Sequence, residues 1–495
     1  MRILMVYPAY PDTFWSFRYA MKFVRKKASF PPLGLLTVAS LLPDEHEIRL
    51  VDMNVRKLKD KDLEWADIVF LSAMEVQKES LGTVIDRCRS MGKKMVAGGP
   101  LFTLMPDHYP EVDHLVLDEA ETTIHPFLKD LESGNPKRIY TSKKRPEMNK
   151  VPIPSWDLID QNDYATMLIQ YSRGCPFNCE FCDISILNGS IPRTKSPHQI
   201  IDELNSLYEM GWRKSVFFVD DNFIGNKKDV KEMLPHLVRW QKEMNYPFSF
   251  LTEASMNLAD DEELMDLRAR ANFKKVFLGI ETPNMDSLKE CRKLQNVNRD
   301  LKSSIRKIQG YGMEVIGGFI VGFDNDNESI FQNQIDFIQD SGIVIAMVGL
   351  LNAIPHTDLW KRLKKEGRLH GETSGSNTDG TINFIPRMGK KKLIEGYLKI
   401  ISDIYSPKEY YRRIDIFLKY YKTGRGKRIH RSDVIAFLRS LWKIGFFSKA
   451  RFHYWRLVLR TLTSNRKSFS KAMELAIMGY HFQKIAGKMK RHQNV

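Results

Sequence analysis

Three cysteines stand within eight residues, Cys175-Pro-Phe-Asn-Cys179-Glu-Phe-Cys182, and only five occur in the 495-residue chain. Spaced C-x3-C-x2-C, three thiolates on one short loop can hold three irons of a cubane cluster. The fourth iron is then without a protein ligand and becomes a coordination site. Zinc is the competing metal, but a structural zinc takes four ligands, and the nearest candidate for a fourth is His198. So few cysteines make no disulfide framework, and their usage points to a reducing, cytoplasmic setting. Cys88 and Cys291 have no motif around them and read as ordinary buried thiols.

The elements that must position this loop form a regular series. Strand-like runs at 168–172, 215–221, 248–255, 275–282, 314–323 and 343–351 alternate with helical stretches at 198–210, 226–243, 260–270, 300–312 and 328–340. Six such units predict a partial (βα)6 TIM-like barrel, whose active site lies at the carboxyl ends of its strands. Polar residues gather at those ends: Asp220, Asp221 and Asn222 after the second strand, Glu253 and Ser255 after the third, Glu281 after the fourth. Each acid alone reads equally well as a strand-end cap, but as a set on successive strands they mark a site.

A second series precedes the first. Runs at 2–8, 46–52, 67–73, 93–99 and 113–118, with helices near 33–42, 77–91 and 122–132, predict a doubly wound, Rossmann-like parallel sheet. Ligands of such sheets sit beyond the strands' carboxyl ends, which singles out Pro8, Ser72, Gly98 and Gly99. The chain is thus α/β, divided into a Rossmann-like domain at 1–133, a Pro- and Lys-rich connector at 134–164, the barrel at 165–370 and a helical tail at 371–495.

The net charge of +16 belongs to that tail. Residues 391–495 carry 25 Lys/Arg and 6 Asp/Glu, a net of +19, so the remainder is close to neutral. Within the tail, residues 437–456 interleave aromatics with cations and contain no acid. Interfacial helices use that pattern at an anionic bilayer surface, and RNA attracts the same residues, with composition favouring membrane. The longest apolar run, at 343–351, is far too short to span a bilayer, and the N-terminus shows no leader pattern.

C-x3-C-x-aromatic-C at the start of a partial barrel resembles the radical S-adenosylmethionine (SAM) superfamily. The resemblance implies a [4Fe–4S] cluster on Cys175, Cys179 and Cys182, whose open iron chelates SAM so that an electron releases a 5′-deoxyadenosyl radical. It also implies an external reductant such as flavodoxin or ferredoxin. Carried onto this chain, the SAM contacts are Phe181 beside the adenine, Asp220 toward the amino group, Glu253 and Ser255 near the ribose and carboxylate, and Glu281, Gly318 and Gly322 around the pocket.

The segments around 30–36 and 46–52 resemble the cobalamin-binding-type domain that precedes many such barrels. Cobalamin is therefore expected, although Asp118-Glu119-Ala120-Glu121 stands where Gly-Glu-Gly-Glu is common and no D-x-H-x-x-G supplies a histidine to cobalt. The barrel segments with the basic tail look like the branch containing hopanoid C-methylases and tetraether-lipid ring synthases. That branch implies hydrogen abstraction from an unactivated carbon of a hydrophobic, membrane-lipid substrate, followed by methyl transfer or C–C bond formation. It also implies peripheral contact with the membrane's inner face. The alternatives are a radical SAM enzyme acting on RNA and a non-catalytic iron–sulfur scaffold. Near the sixth strand, Pro355-His356-Thr357 replaces the usual Pro-Gly-Thr, and His356 reads first as a turn residue.

Overall fold

The computed structural model describes residues 1–376, 378–423 and 431–492. Its first sheet contains β1 (Arg2–Tyr7), β2 (Glu47–Asp52), β3 (Ile68–Ser72), β4 (Lys94–Gly98), β5 (His114–Val116) and β6 (Ile139–Tyr140), all parallel, in the order β2-β1-β3-β4-β5-β6. Alternation along β1 shows why the sheet is covered on both sides. Leu4 and Val6 enter one apolar cluster while Ile3 and Met5 enter another on the opposite face. The connector contributes more than an extended link, because Ile139 and Tyr140 extend the sheet by pairing with Leu115 and Val116.

The second sheet contains β7 (Met167–Ile169), β10 (Ser215–Phe218), β11 (Ser249–Ala254), β12 (Phe273–Glu281), β13 (Glu314–Val321) and β14 (Ala346–Leu350). All pairings are parallel and the strands lie in sequence order, as successive right-handed βα units require. Between β7 and β10 sits a small antiparallel ribbon, β8 (Ser172–Arg173) and β9 (Arg193–Thr194), and the cysteine loop runs between its two strands. The intervening helices start as their caps dictate. Ser196 closes a capping box with Gln199, and Asp261 and Asp300 each accept an N–H three residues on.

The tail folds back onto the body. Helices Lys390–Ile404, Pro407–Tyr420 and Phe469–His492 share one apolar core with the second sheet and with Phe14 and Phe23 near the N-terminus. Arg413, fully buried, donates to Gln339 Oε1 and to the carbonyls of Ile404 and Val344, locking tail to barrel. Among the described residues no helix is long and apolar enough to cross a membrane.

Candidate active site

The cysteine loop is gripped from three sides. Asp220, at the end of β10, accepts the backbone N–H groups of Tyr171 and Ser172, and Asp221 accepts that of Gly174 at 2.7 Å while holding Asn188. Glu180, inside the loop, takes Nε and Nη2 of Arg362 at 2.6 and 3.1 Å, and its own N–H donates to the Cys291 carbonyl. Arg362 belongs to helix Asp358–Lys365 and also pairs with Asp324, which in turn holds Arg368. Those two guanidiniums keep the Asp324 carboxyl below the usual range, against a burial that would raise it.

Amide groups point at the sulfurs. Asn222 Nδ2 lies 3.9 Å from Cys175 Sγ, and Gln295 Nε2 lies 4.0 Å from Cys179 Sγ. Lys293, with a side chain only 12% exposed, is bound to Glu281 at 2.7 Å and raises no barrier to negative charge nearby. Burial would lower its pKa, but the Glu281 carboxylate beside it raises it, so it stays a cation. Burial pushes all three thiols up, Cys182 to about 12, so the protein alone keeps them protonated and metal binding must displace protons. No group of three His, Cys, Asp or Glu side chains among the described residues converges on a single metal-ion position. No fourth protein ligand of the kind a structural zinc takes is supplied by His198, the nearest candidate in the sequence. His198 lies ring-to-ring with His236 on the helical layer. The donor set, three thiols with amide donors and one lysine, fits an anionic thiolate cluster.

The strand-end residues have mixed fates. Ser255 joins Asn222 and Asn257 in a buried hydrogen-bond group that reaches Cys175 through Asn222. Glu253 makes no side-chain hydrogen bond among the described residues, and burial with the nearby charge of Asp221 lifts its carboxyl to about 7. Asp220 is lifted to about 8 by burial; one oxygen organises the loop backbone while the other is buried without a partner. Glu281 takes φ +65° at the end of β12, which turns its carboxylate onto Lys293. Gly318 lies against the Phe277 ring, and Phe181 packs toward Phe323 at 6.2 Å between centroids. Gly322, at φ +112°, makes the turn after β13, where a Cβ would also strike Leu393 of the tail at 2.9 Å. Lys293, Glu180, Arg362 and Gln295 were not singled out from sequence. Their partners lie up to 182 residues away, and no local spacing announces them.

At the facing edge of the first sheet, Ser72 and Gly99 end neighbouring strands, and a Cβ on Gly99 would meet Ser72 Oγ at 2.6 Å. Gly99 has φ +90° and opens helix Pro100–Leu104, while Gly98 passes the Val116 carbonyl too closely for a side chain. Pro8 offers its carbonyl to Gln77 and Asn54. Neither position can carry a side chain without displacing Val116 or Ser72, so both glycines are demanded by close packing at this sheet edge. The acidic turn joins the first domain to the ribbon that flanks the cysteine loop. Glu119 binds Arg173, Arg193 and Arg145 at 2.8, 2.8 and 3.3 Å, and Glu121 binds Arg173 at 2.7 Å. Asp118 takes φ +60° where the related turn has glycine, and its carboxylate caps Thr141 and Ser142. His356, at φ +68°, binds the Leu104 carbonyl at 3.0 Å, a turn residue docked on the first domain.

Residues 169–338 match the radical SAM superfamily model and residues 25–127 the B12 binding domain; residues 357–494 match a domain family of unknown function. The hopanoid C-2 methylase of Rhodopseudomonas palustris is 35% identical over 97% of this chain and 92% of its own length. The chain is a cobalamin-type radical SAM enzyme. An uncharacterized methyltransferase of Synechocystis sp. is 41% identical over 97% of this chain and 91% of that protein. In fold, this radical SAM enzyme resembles the methyltransferase TsrM from Kitasatospora setae, solved with cobalamin and a [4Fe–4S] cluster, with a TM-score of 0.62, 15% identity and full coverage of both chains. The radical SAM domain implies SAM and a [4Fe–4S] cluster, and the B12 domain implies cobalamin. The enzyme therefore belongs with methyltransferases, and its acidic turn keeps both glutamates of the family pattern while using Asp118 in the glycine conformation.

Proposed function

We propose that this enzyme methylates an unactivated carbon of a hydrophobic, membrane-lipid substrate of the polycyclic, hopanoid kind. The observation that carries the reading is the 35% identity with a hopanoid C-2 methylase, which runs through the tail as well as the two cofactor domains. Methyl transfer is favoured over ring formation because two relatives matched along nearly the whole chain are named as a methyltransferase and a methylase.

In this reading Cys175, Cys179 and Cys182 hold the cluster, with Asn222 and Gln295 donating to sulfur. Lys293 offsets the negative charge of the thiolate cluster, and Glu281 fixes Lys293. Phe181, Ser255, Glu253, Gly318 and Gly322 shape the SAM pocket, Asp220 sets its floor through the loop backbone, and Pro8, Ser72, Gly98 and Gly99 form the cobalamin edge. SAM and cobalamin supply the radical and the methyl group when bound; the protein's part is to align them and exclude water. The domain divisions at 133, 164 and 370 belong to the same proposal, as does peripheral contact with the membrane through the basic tail.

The test is anaerobic reconstitution followed by incubation with methyl-deuterated SAM, a strong reductant and lipid extract, with lipid masses compared against Cys182→Ala. A gain of one deuterated methyl group, absent in the variant, is expected. A loss of two hydrogens would establish ring formation instead, and no change in any lipid would remove the lipid substrate.

A further inference from the structure

Among the described residues after 430, six large apolar side chains are more than half exposed: Leu438, Trp442, Phe446, Phe447, Phe452 and Leu459, with Phe447 at 70% and Phe452 at 73%. They lie on helix Arg431–Ser440, on the π-helical turn Leu441–Phe446 with Phe447 just after it, and on helix Arg451–Ser464. Leu438, Trp442 and Phe446 recur every four residues and share one side. Phe452, Trp455, Leu459 and Leu462 share one side of the next helix by the same spacing.

The two stripes are one patch. Trp455 Nε1 donates to the Gly445 carbonyl at 3.1 Å, and its ring meets Phe446 at 6.3 Å between centroids. Trp442 in turn sits 5.0 Å from Phe447. Nor is the exposure a failure to pack, because the inner sides of the same helices are buried through Ala436, Ile444, Tyr454, Leu457 and Val458. Large contiguous apolar surfaces of this kind mark interaction sites.

Charge decides the partner. From 434 to 473 there are nine Lys/Arg and no Asp/Glu. Arg456 and Arg460 share Asp415, at 3.4 and 3.0 Å. Arg451 lies over the Phe452 ring, and no ion pair joins Lys449, Arg451, Arg466 or Lys467 to a carboxylate among the described residues. Cations free to meet anions thus surround an apolar centre. A single-stranded nucleic acid would want isolated rings for stacking, whereas here rings are packed edge-to-face among the aliphatic Leu438, Leu459 and Leu462, which stack on nothing.

We propose that this face is a membrane-docking surface: Trp442, Phe446, Phe447 and Phe452 enter the headgroup–acyl boundary of an anionic bilayer while Lys449, Arg451, Arg466 and Lys467 meet lipid phosphates. It deepens the lipid-enzyme reading by assigning membrane contact to one apolar patch, and it can fail separately. The docking is hydrophobic insertion assisted by charge, not charge alone.

The experiment uses the full chain with vesicles of phosphatidylcholine, with and without phosphatidylglycerol. The wild-type protein is expected to sediment with the anionic vesicles and to keep a measurable fraction bound at high salt. The exposed double variant Phe447→Ser/Phe452→Ser is expected to lose at least tenfold in partitioning while forming 5′-deoxyadenosine from SAM at the unchanged rate. Fluorescence of Trp442, assigned by difference from Trp442→Phe, is expected to be quenched by brominated acyl chains. Unchanged partitioning of the double variant would overturn the proposal. So would binding to single-stranded RNA in preference to vesicles, or a concentration-dependent dimer in light scattering that the same variant abolishes. Methylation of detergent-dispersed lipid measured in parallel separates the two readings: docking without methylation rejects the substrate, and methylation without docking rejects this surface.

Discussion

The surroundings of the cysteine loop and the outer face of the tail both hold several cations, yet they treat them oppositely. Around the loop, Arg173 and Lys293 are largely buried and Arg362 is half-buried, and each is bound to one or more carboxylates. On the tail, Lys449, Arg451 and Lys467 stand in solvent beside uncovered rings. A buried charge without a partner costs several kcal/mol, so the loop's cations must be paired and become rigid positioning devices. An exposed cation costs almost nothing and keeps its full attraction for an external anion. The same residue type therefore builds a scaffold in one region and a recognition surface in the other.

The largest test of that contrast is on the loop itself. Cys182→Ala should cut 5′-deoxyadenosine formation to the uncatalysed background and reduce bound iron, as measured by product chromatography and metal analysis. Arg173→Met should lower stability by about 3–5 kcal/mol in urea unfolding, because Glu121 and one oxygen of Glu119 become buried and unpaired. Adding Glu121→Gln should restore part of the loss; if it restores none, the ion pair is not what joins the first domain to the ribbon.

A buried histidine adds a pH-dependent term. His481 lies in the tail's inner face, fully buried, with Nε2 donating to the Phe14 carbonyl at 3.1 Å. Burial lowers its pKa from the ordinary 6.5 to about 4. The unfolded chain therefore takes up this proton first, so the contribution is complete above pH 6.5 and is lost as pH falls toward 4, by about 1.4 kcal/mol for each unit. Differential unfolding of wild type and His481→Gln across that window should show the wild type with the steeper acid loss.

Gly322→Ala should cost about 1–3 kcal/mol through its positive φ and the contact with Leu393, read as a fall in the thermal midpoint. At the small end, the tail substitutions Phe447→Ser and Phe452→Ser should each leave stability within about 0.5 kcal/mol, since both rings are exposed. A large loss there would mean that the rings hold the tail together, and the contrast between the two regions would dissolve.

Legibility followed the range of the interactions. The expected strand at 2–8 appears as Arg2–Tyr7 and the helix at 226–243 as Lys227–Glu243, because alternation and the 3.6-residue period are written in neighbouring residues. Ile139–Tyr140, only two residues long, has no period to read, and it fell inside the stretch taken as a connector. The grouping of Cys175, Cys179 and Cys182 is legible because all three lie within eight neighbouring residues. Lys293 is not, since nothing near it in the chain marks it and its partner Glu281 is found only when β12 turns at positive φ. Asp220 was read toward SAM; its carboxylate is spent in part on the backbone of Tyr171 and Ser172, a role that needs the strand and the loop side by side. Cys291 looked inert, and its thiol is buried, yet its carbonyl anchors Glu180 behind the cysteine loop.

Taken alone, the sequence determined the iron-binding chemistry, the two parallel sheets and the placing of excess positive charge in the last fifth of the chain, since ligand spacing, hydrophobic period and composition are all local properties. The tertiary structure decided which charges are neutralised: Glu119 and Glu121 by arginines at least 26 residues away, Glu180 by Arg362 at 182, and several tail cations by nothing among the described residues. Burial makes that decision, because it sets the cost of leaving a charge unpaired, and burial exists only once distant segments have packed.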